Sequence, residues 1–534
     1  MAGAGAGSAL SRGPVFPSDP IASLRAVFKW IAAGVALLAV LGGVGYYLYT
    51  EENEPIEKRG SPTEEFVTTE PEEPKPPPKQ ENPRPWPMYS YDLQRRHISP
   101  YDHRPPYRRL WTIDAHDTLE FPPSVGYGKV FLAQQKGLFF ALDTQTGRVH
   151  WRKSLGRCAA ASPTVGRKVV YVSYMHPVEC LQGQAGADGF VVAWDAETGR
   201  ERWRFKSAPI ESSPLLKGKR LFVGSWDHGV YALNAGTGKR IWRFEADNEV
   251  NTSPAYWRGR IYIASDGGTL YSLSAKSGKL LWSAQSQSRF GSREFFYATP
   301  TLAHGRVYIG NTDGTMYVYG AKTGRLLWAR PLGSYIYGAA AVYKRKVFVG
   351  TYDGQFYALD AATGDVVWQR DAGGTVHGAP TVMDGLVYYA ICSTCGSEAQ
   401  RAVAGGTDAV YAVRARDGKR VWQFMYGGKY ANPVVADDER VYITGRSFQF
   451  AFAEKGSPAA RKDARRDRRT ARRERERARE ARRENRRGQR AGRRGNRRGQ
   501  RAGQREQRSS RRQDGRRPRA SRRENRREQR ADRR

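Results

Sequence analysis

Cysteine is scarce in this chain. There are four in 534 residues, none adjacent to another, with a single CxxC at Cys392 and Cys395. That set lacks the second thiolate pair of a zinc ribbon. Long hydrophobic runs are nearly absent too. The exception is residues 28–49, "FKWIAAGVALLAVLGGVGYYLY", whose one charge is Lys29. About 20 apolar residues at ~1.5 Å rise cross a ~30 Å hydrocarbon core. The run is longer than a signal-peptide core, and the bulky "YYLYTEEN" that follows offers no small-x-small cleavage site. Arg12, Arg25 and Lys29 precede its centre and Glu51, Glu52 and Glu54 follow it. A single-pass membrane helix is expected, with residues 1–27 cytoplasmic and everything after Thr50 outside. In an exported segment four cysteines are expected as disulfides, and the available pairs are Cys158 with Cys180 and Cys392 with Cys395.

Two segments lack the means to build a core. Residues 50–85 are rich in Glu and Pro, with nine prolines, and are expected to form a disordered stalk. Residues 459–534 have no Leu, Ile, Val, Met or aromatic residue. They carry 34 Arg and one Lys against 11 acids, so +24 of the chain's +36 lies there. The segment 458–534 is expected to be a disordered basic tail. Arginine pairs bidentately with phosphate, so anionic envelope polymers or lipid headgroups are one partner class. A solvated extension without a specific partner is the other reading. Nucleic acid is disfavoured, because the tail is expected outside the cell and offers no ring for base stacking.

What is present between these segments is repetition. "YALDAATGDVVW" ends at Trp368, and variants of it end at Trp151, Trp203, Trp242, Trp282, Trp328 and Trp422. With Trp111 included, the spacings are 40, 52, 39, 40, 46, 40 and 54 residues. A period near 40 with about four short strands per unit predicts a β-propeller. In one unit "SSPLL" (212–216) is the expected inner strand, followed by "RLFVGS", "GVYALN" and "KRIWRF". The Asp or Asn before each second turn can bond its own backbone, and the turn Gly can take positive φ. Each Trp is expected to fill the gap between blades. Seven full units precede an eighth that begins at "ANPVV" and never reaches its Trp. The missing outer strand is expected to be "YRRLWTID" at residues 107–114, which closes an eight-bladed ring and removes an exposed edge. Two longer units, containing Cys180 and Cys392/Cys395, carry insertions between their second and third strands.

The repeated phrase, with "SP" or "TP" opening the inner strands, closely resembles the PQQ-like β-propeller repeat. The segment "PWPMYSYDLQRRH" (85–97) resembles that family's lead-in. The resemblance implies one of two roles. One is a quinoprotein dehydrogenase that binds pyrroloquinoline quinone and Ca²⁺. The other is a cofactor-free scaffold of the kind that serves outer-membrane protein assembly. Many quinoprotein alcohol dehydrogenases carry an adjacent-cysteine disulfide, which this chain lacks, so the expected role is a non-catalytic binding module without a cofactor.

Aligning the units places Glu120, Ala160, Glu211, Asn251, Tyr297, Tyr337, His377 and Tyr430 in equivalent positions just before the inner strands. Period-two alternation turns them towards the central funnel. Glu211 and Asn251 are oxygen ligands of the type Ca²⁺ accepts, and His377 is a candidate acid or base. Two oxygens fall short of the 6–8 that Ca²⁺ takes, so no metal site is expected and the ring reads as a polar funnel mouth. Asp188, Asp266, Asp313 and Asp353, each followed by Gly, read as hairpin turns. "CSTC" lies in a hairpin rather than at a helix N-terminus, so a local disulfide or structural thiols are expected there. Trp226 and Trp257 are expected in turns.

Overall fold

The computed structural model describes residues 20–68, 83–177, 188–289, 291–404, 408–426, 432 and 434–514. They fall in two compact units, Met1–Lys455 and Gly456–Arg534. Helix α1 (Pro20–Glu52) opens the first unit, and its stretch Phe28–Tyr47 is long and apolar enough to cross a membrane. After it come eight four-stranded antiparallel sheets, the blades of a β-propeller. Blade 1 runs Ser124–Gly126, Lys129–Ala133, Leu138–Asp143 and Val149–Ser154, and blades 2 to 7 repeat it in chain order. Blade 8 takes three strands from the end of the sequence and its outer strand, Tyr107–Asp114, from the start. Trp111 pairs there with Ala451. The ring thus closes as the repeat count requires.

The repeated phrase is a latch between blades. Seven indoles, those of Trp111, Trp151, Trp203, Trp242, Trp282, Trp328 and Trp368, donate their N–H to a carbonyl in the second turn of the next blade. The turn glycine lies flat on the same ring. At Gly364 (φ +78°) a Cβ would sit 2.8 Å from the ring of Trp328. Glycine is therefore required twice, for positive φ and for room. Trp422 has no such turn to meet, because the third and fourth strands of blade 8 come from opposite ends of the chain. It packs edge-on against Tyr107 instead, at 5.2 Å.

The inner strands start later than expected. In blade 3 the strand is Leu215–Lys217, and Ser212 to Pro214 precede it. Pro214 has no N–H to give a ladder. The Ser or Thr before the proline serves another purpose. Ser162 N–H donates to Ser213 Oγ, Ser213 N–H to Ser253 Oγ, and Ser253 N–H to Thr299 Oγ1, so the SP and TP pairs bond neighbouring blades around the channel wall. Trp257 ends an inner strand rather than sitting in a turn, and the guanidinium of Arg258 lies 4.7 Å from its ring centre.

Residues 85–103 form a hub across one end of the channel. Trp86 bonds Val125 of blade 1, and Val165 of blade 2 donates to Pro87. Tyr256, Leu302, Val342 and Val382, on blades 4 to 7, donate to Leu93, Gln94, Arg96 and His97. His103 bonds the Asp437 carbonyl of blade 8 at 2.7 Å. Blade 3 is held by Arg95. This fully buried guanidinium donates to Ser213 O and Pro214 O, to Pro254 O of blade 4 and to Tyr89 O. Burial lowers its pKa to about 10, and carbonyl oxygens rather than a carboxylate satisfy it.

The expected stalk is corrected over its first part. Residues 53–67 form a strap bound to blades 4 to 6. Lys58 pairs antiparallel with Ala329 on the outer strand of blade 5. Arg59 forks onto Asp365, Gly60 N–H donates to Thr363 O, and Phe66 stacks on His304 at 4.7 Å. Arg306, itself buried, donates to Ser61 O and Glu64 O. Proline keeps the strap extended, and an outer blade edge offers it unpaired backbone groups. Residues 69–82 of the expected stalk lie outside the described residues.

The two insertions fall between second and third strands, as the repeat lengths imply. The insertion of blade 7 holds the short helix α2 (Glu398–Ala404) and a Cys392–Cys395 disulfide. Cys158 is disulfide-bonded, and Cys180 lies outside the described residues. In the second unit Pro458–Asp514 is one helix, α3, where the composition suggested an unstructured tail. Its residues 464–512 are exposed or intermediate, so they bury no core of their own, and ion pairs such as Arg472–Glu476 at i,i+4 line its surface.

Candidate functional site

Segments that lead into the inner strands of blades 1 and 3 to 7 meet at the centre of the ring. Glu120, Glu211, Asn251, Tyr297, Tyr337 and His377 stand on six of these segments and line one central chamber of about 60 Å³. Tyr89 of the hub closes its floor, edge-on to His97 at 5.2 Å. Ala160, at the same position in blade 2, packs instead with Cys158 and Met175. Tyr430 lies outside the described residues.

One wall of the chamber is aromatic. Tyr337 is stacked between Tyr297 (4.1 Å) and His377 (4.5 Å). His377 Nδ1 shares a 2.6 Å hydrogen bond with Tyr352 Oη. Burial lowers the imidazole pKa to about 4, so His377 is neutral near pH 7. The Cys392–Cys395 disulfide packs behind this wall with Tyr337 and Tyr352.

The other wall is acidic. Glu211, 7% exposed, accepts a hydrogen bond from Tyr297 Oη. Its pKa is pushed up to about 8 by burial first and by the charge of Glu120 second. Burial raises Glu120 to about 7. Asn251 Nδ2 donates to Asp266 Oδ2 at 2.7 Å, and Asp266 is raised to about 7, again chiefly by burial. Asn251 Oδ1 and Asp266 Oδ1 accept no hydrogen bond among the described residues. Among the described residues that line the chamber, none is Arg or Lys.

Sequence reasoning missed a second tier of residues. The turn between the second and third strands opens on Gln135, Trp226, Asp266, Thr312 and Tyr352 in blades 1, 3, 4, 5 and 6. Gln135 reaches Glu120, Asp266 holds Asn251, and Tyr352 holds His377. Asp266 is thus more than hairpin chemistry. Aligning these turns by repeat would have found the tier, and Tyr89 of the hub carries no repeat signal at all.

Four-stranded blades latched by tryptophan onto the next blade's turn glycine, with the ring closed by an N-terminal strand, define a PQQ-like β-propeller. The sequence model of the family described as outer membrane protein assembly factor BamB matches residues 104–176, 183–335 and 331–400, more than half of the chain. The chain belongs to that family. Among curated relatives, a quinohemoprotein alcohol dehydrogenase of Comamonas testosteroni is 30% identical over 163 residues, 27% of this chain and 22% of that protein. The outer membrane protein assembly factor BamB of Bordetella pertussis is 26% identical over 142 residues, 26% of this chain and 33% of that protein. The chain therefore matches at most a third of the length of either relative. Among solved structures, BamB from Moraxella catarrhalis superposes with a TM-score of 0.51 at 15% identity, covering 66% of this chain and 98% of that one, a likeness of fold.

Proposed function

We propose that this chain is a membrane-anchored, extracytoplasmic propeller that acts as a non-catalytic binding or scaffold module, with a partner in envelope protein assembly. The chamber carries this reading. Pyrroloquinoline quinone is a fused-ring tricarboxylate. Pockets for ligands of such size run to several hundred Å³, on the order of 300–1,000 Å³, against about 60 Å³ here. Its carboxylates need cationic partners, and the chamber wall supplies Glu120 and Glu211 instead. The residues present do not fit the quinone. Asn251 and Glu211 supply too few oxygens for the Ca²⁺ that would accompany it, and no cluster of three His, Cys, Asp or Glu residues suited to a metal ion occurs among the described residues.

The anchor and topology rest on α1 and on the charges around it, with basic residues before the apolar run and three glutamates after it. The disulfide at Cys392–Cys395 and the bonded Cys158 suit an oxidising compartment outside the cytoplasm. The assembly role draws on family membership and on the BamB relatives.

Titration of the full chain in detergent with pyrroloquinoline quinone and Ca²⁺ tests the reading by calorimetry. No saturable heat is expected. One-to-one binding at about micromolar Kd, near −8 kcal/mol, would overturn the module reading in favour of a quinoprotein oxidoreductase.

A further inference from the structure

The chamber gathers two buried carboxyl groups beside an aromatic wall. Glu211 is buried and spends one oxygen on the Tyr297 hydroxyl. Glu120 faces the same space. Asn251, 7% exposed, lines the chamber with its amide nitrogen fixed by Asp266, and its buried Oδ1 meets no donor among the described residues. Buried acceptors without donors are costly unless something supplies the donors. Beside them stand the stacked rings of Tyr297, Tyr337 and His377, the kind of wall that attracts a cation through its π faces. A space of about 60 Å³ admits a few waters or one small head group, and nothing larger.

We infer that the chamber is a subsite for one ammonium or guanidinium head group, presented by a lysine or arginine side chain of a partner polypeptide. The inference rests on the binding-module reading above and names what that module takes. The head supplies N–H donors to Glu211 and Glu120, and its charge meets two carboxylates beside which no Arg or Lys stands among the described residues that line the chamber. The chamber mouth argues for a side chain rather than a free amine. Phe295 and Tyr335 lie two residues before Tyr297 and Tyr337 and are 47% and 44% exposed. Beside Tyr335 opens a wider depression of about 450 Å³ that includes Arg289, Glu294 and Asp313. Exposed rings close in sequence to the chamber tyrosines, with a broad depression beside one of them, suit a polypeptide that lies on the surface and inserts one side chain.

Binding must ionise the carboxyls. The groups facing Glu211 are Glu120, Asp266, Glu249, Tyr297 and Tyr337; Glu120 and Asp266 are held partly protonated near neutral pH, and burial raises Glu249 as well. His377, stacked on Tyr337, is neutral and adds no charge. Affinity for the cation therefore rises with pH.

The test uses the full chain in detergent and three capped tripeptides, Gly-Arg-Gly, Gly-Lys-Gly and Gly-citrulline-Gly, the last a neutral isostere of the first. The arginine and lysine peptides are expected to saturate one site, and to tighten about tenfold from about pH 6 to about pH 8.5 as the carboxyls ionise. The citrulline peptide is expected to bind about tenfold more weakly or not at all, and Glu211→Gln and Glu120→Gln each to lose about tenfold in affinity for the arginine peptide. Equal binding of arginine and citrulline, full affinity in both variants, or no saturation overturns the inference. Should a variant fail to fold, the wild-type arginine–citrulline comparison decides alone. Spermidine is the arm for a free amine, and tighter binding of spermidine than of either peptide would overturn the polypeptide source. A failed peptide titration with no quinone bound removes this inference only, whereas bound quinone removes the module reading itself.

Discussion

At the scale of single residues, the latch and the chamber pull in opposite directions, one for stability and one against it. Gly364 and Gly385 both have positive φ, at +78° and +70°. Only Gly364 abuts an indole, and nothing lies within 4 Å of a Cβ at Gly385. Gly385→Ala meets only the left-handed backbone penalty, about 1–2 kcal/mol. Gly364→Ala adds overpacking against Trp328 and is expected to cost about 1–3 kcal/mol more, read from urea midpoints of the pair. The chamber acids give a pH signature. The pKa of Glu211 rises from 4.5 unfolded to about 8 folded, and those of Glu120 and Asp266 rise to about 7. The folded chain therefore holds protons that the unfolded chain has released. Their stabilising effect is complete below about pH 4.5 and is lost as pH climbs through about 8. Wild-type stability is expected to fall between those limits, and Glu211→Gln to flatten part of the slope. A melting series across that range that shows the same slope in both proteins would refute the assignment.

At the scale of elements, what could be read in advance depended on whether the information was local. The strands, the blade number and the closing strand are periodic, and Trp spacing with turn glycines carries them. The onset of the inner strand was displaced because Pro214 and the Ser and Thr before each proline bond across blades, a neighbour relation that one repeat does not display. Six of the eight aligned positions came to the chamber because the period keeps their direction, but their second-tier partners were hidden in turns that read as generic. The strap and hub were illegible for a plainer reason. Their partners lie hundreds of residues away, as Lys58 to Ala329 shows, and the strap's Glu and Pro content matches that of a solvated linker. Each yields a prediction. A Cβ at Gly60 would fall 2.6 Å from Trp328 Cδ1 and 2.3 Å from the Ala362 carbonyl. Gly60→Val is expected to lift the strap, speed proteolysis within 53–67 and expose Trp328, now fully buried, as a red-shifted emission. The propeller's own circular dichroism should persist. For the hub, Arg95→Lys keeps the charge but loses the fork that reaches Ser213, Pro214 and Pro254 together. Orphaned buried carbonyls and a poorly matched ammonium are expected to cost about 2–4 kcal/mol in a denaturant titration.

At the scale of the whole molecule, the charge is divided as sharply as the fold. Residues 459–534 hold +24 and all that precedes them +12, from a total of +36. Within α3 alone there are 24 Arg and one Lys against eight acids, along 57 residues or about 85 Å of helix. Arginine, alanine, glutamate and glutamine favour that helix, and pairs such as Arg472–Glu476 support it. Unbalanced like charge opposes it and is relieved by counterions or by a bound polyanion. In the topology proposed above, with the chain beyond α1 outside the cytoplasm, the polyanions within reach are phosphate-bearing envelope polymers and headgroups, for which guanidinium is the matching donor. The full chain is therefore expected to bind polyphosphate or anionic vesicles with affinity that falls steeply with salt, by about 10³-fold or more between about 50 and 200 mM if six or more phosphates are neutralised. A chain ending at Lys455, the boundary between the two compact units, should lose that binding and keep the propeller's melting transition. Helical circular dichroism from the tail should grow as polyanion is added. Equal retention of the two chains on a polyphosphate matrix would make the tail a solvated extension and leave its charge without a role in recognition.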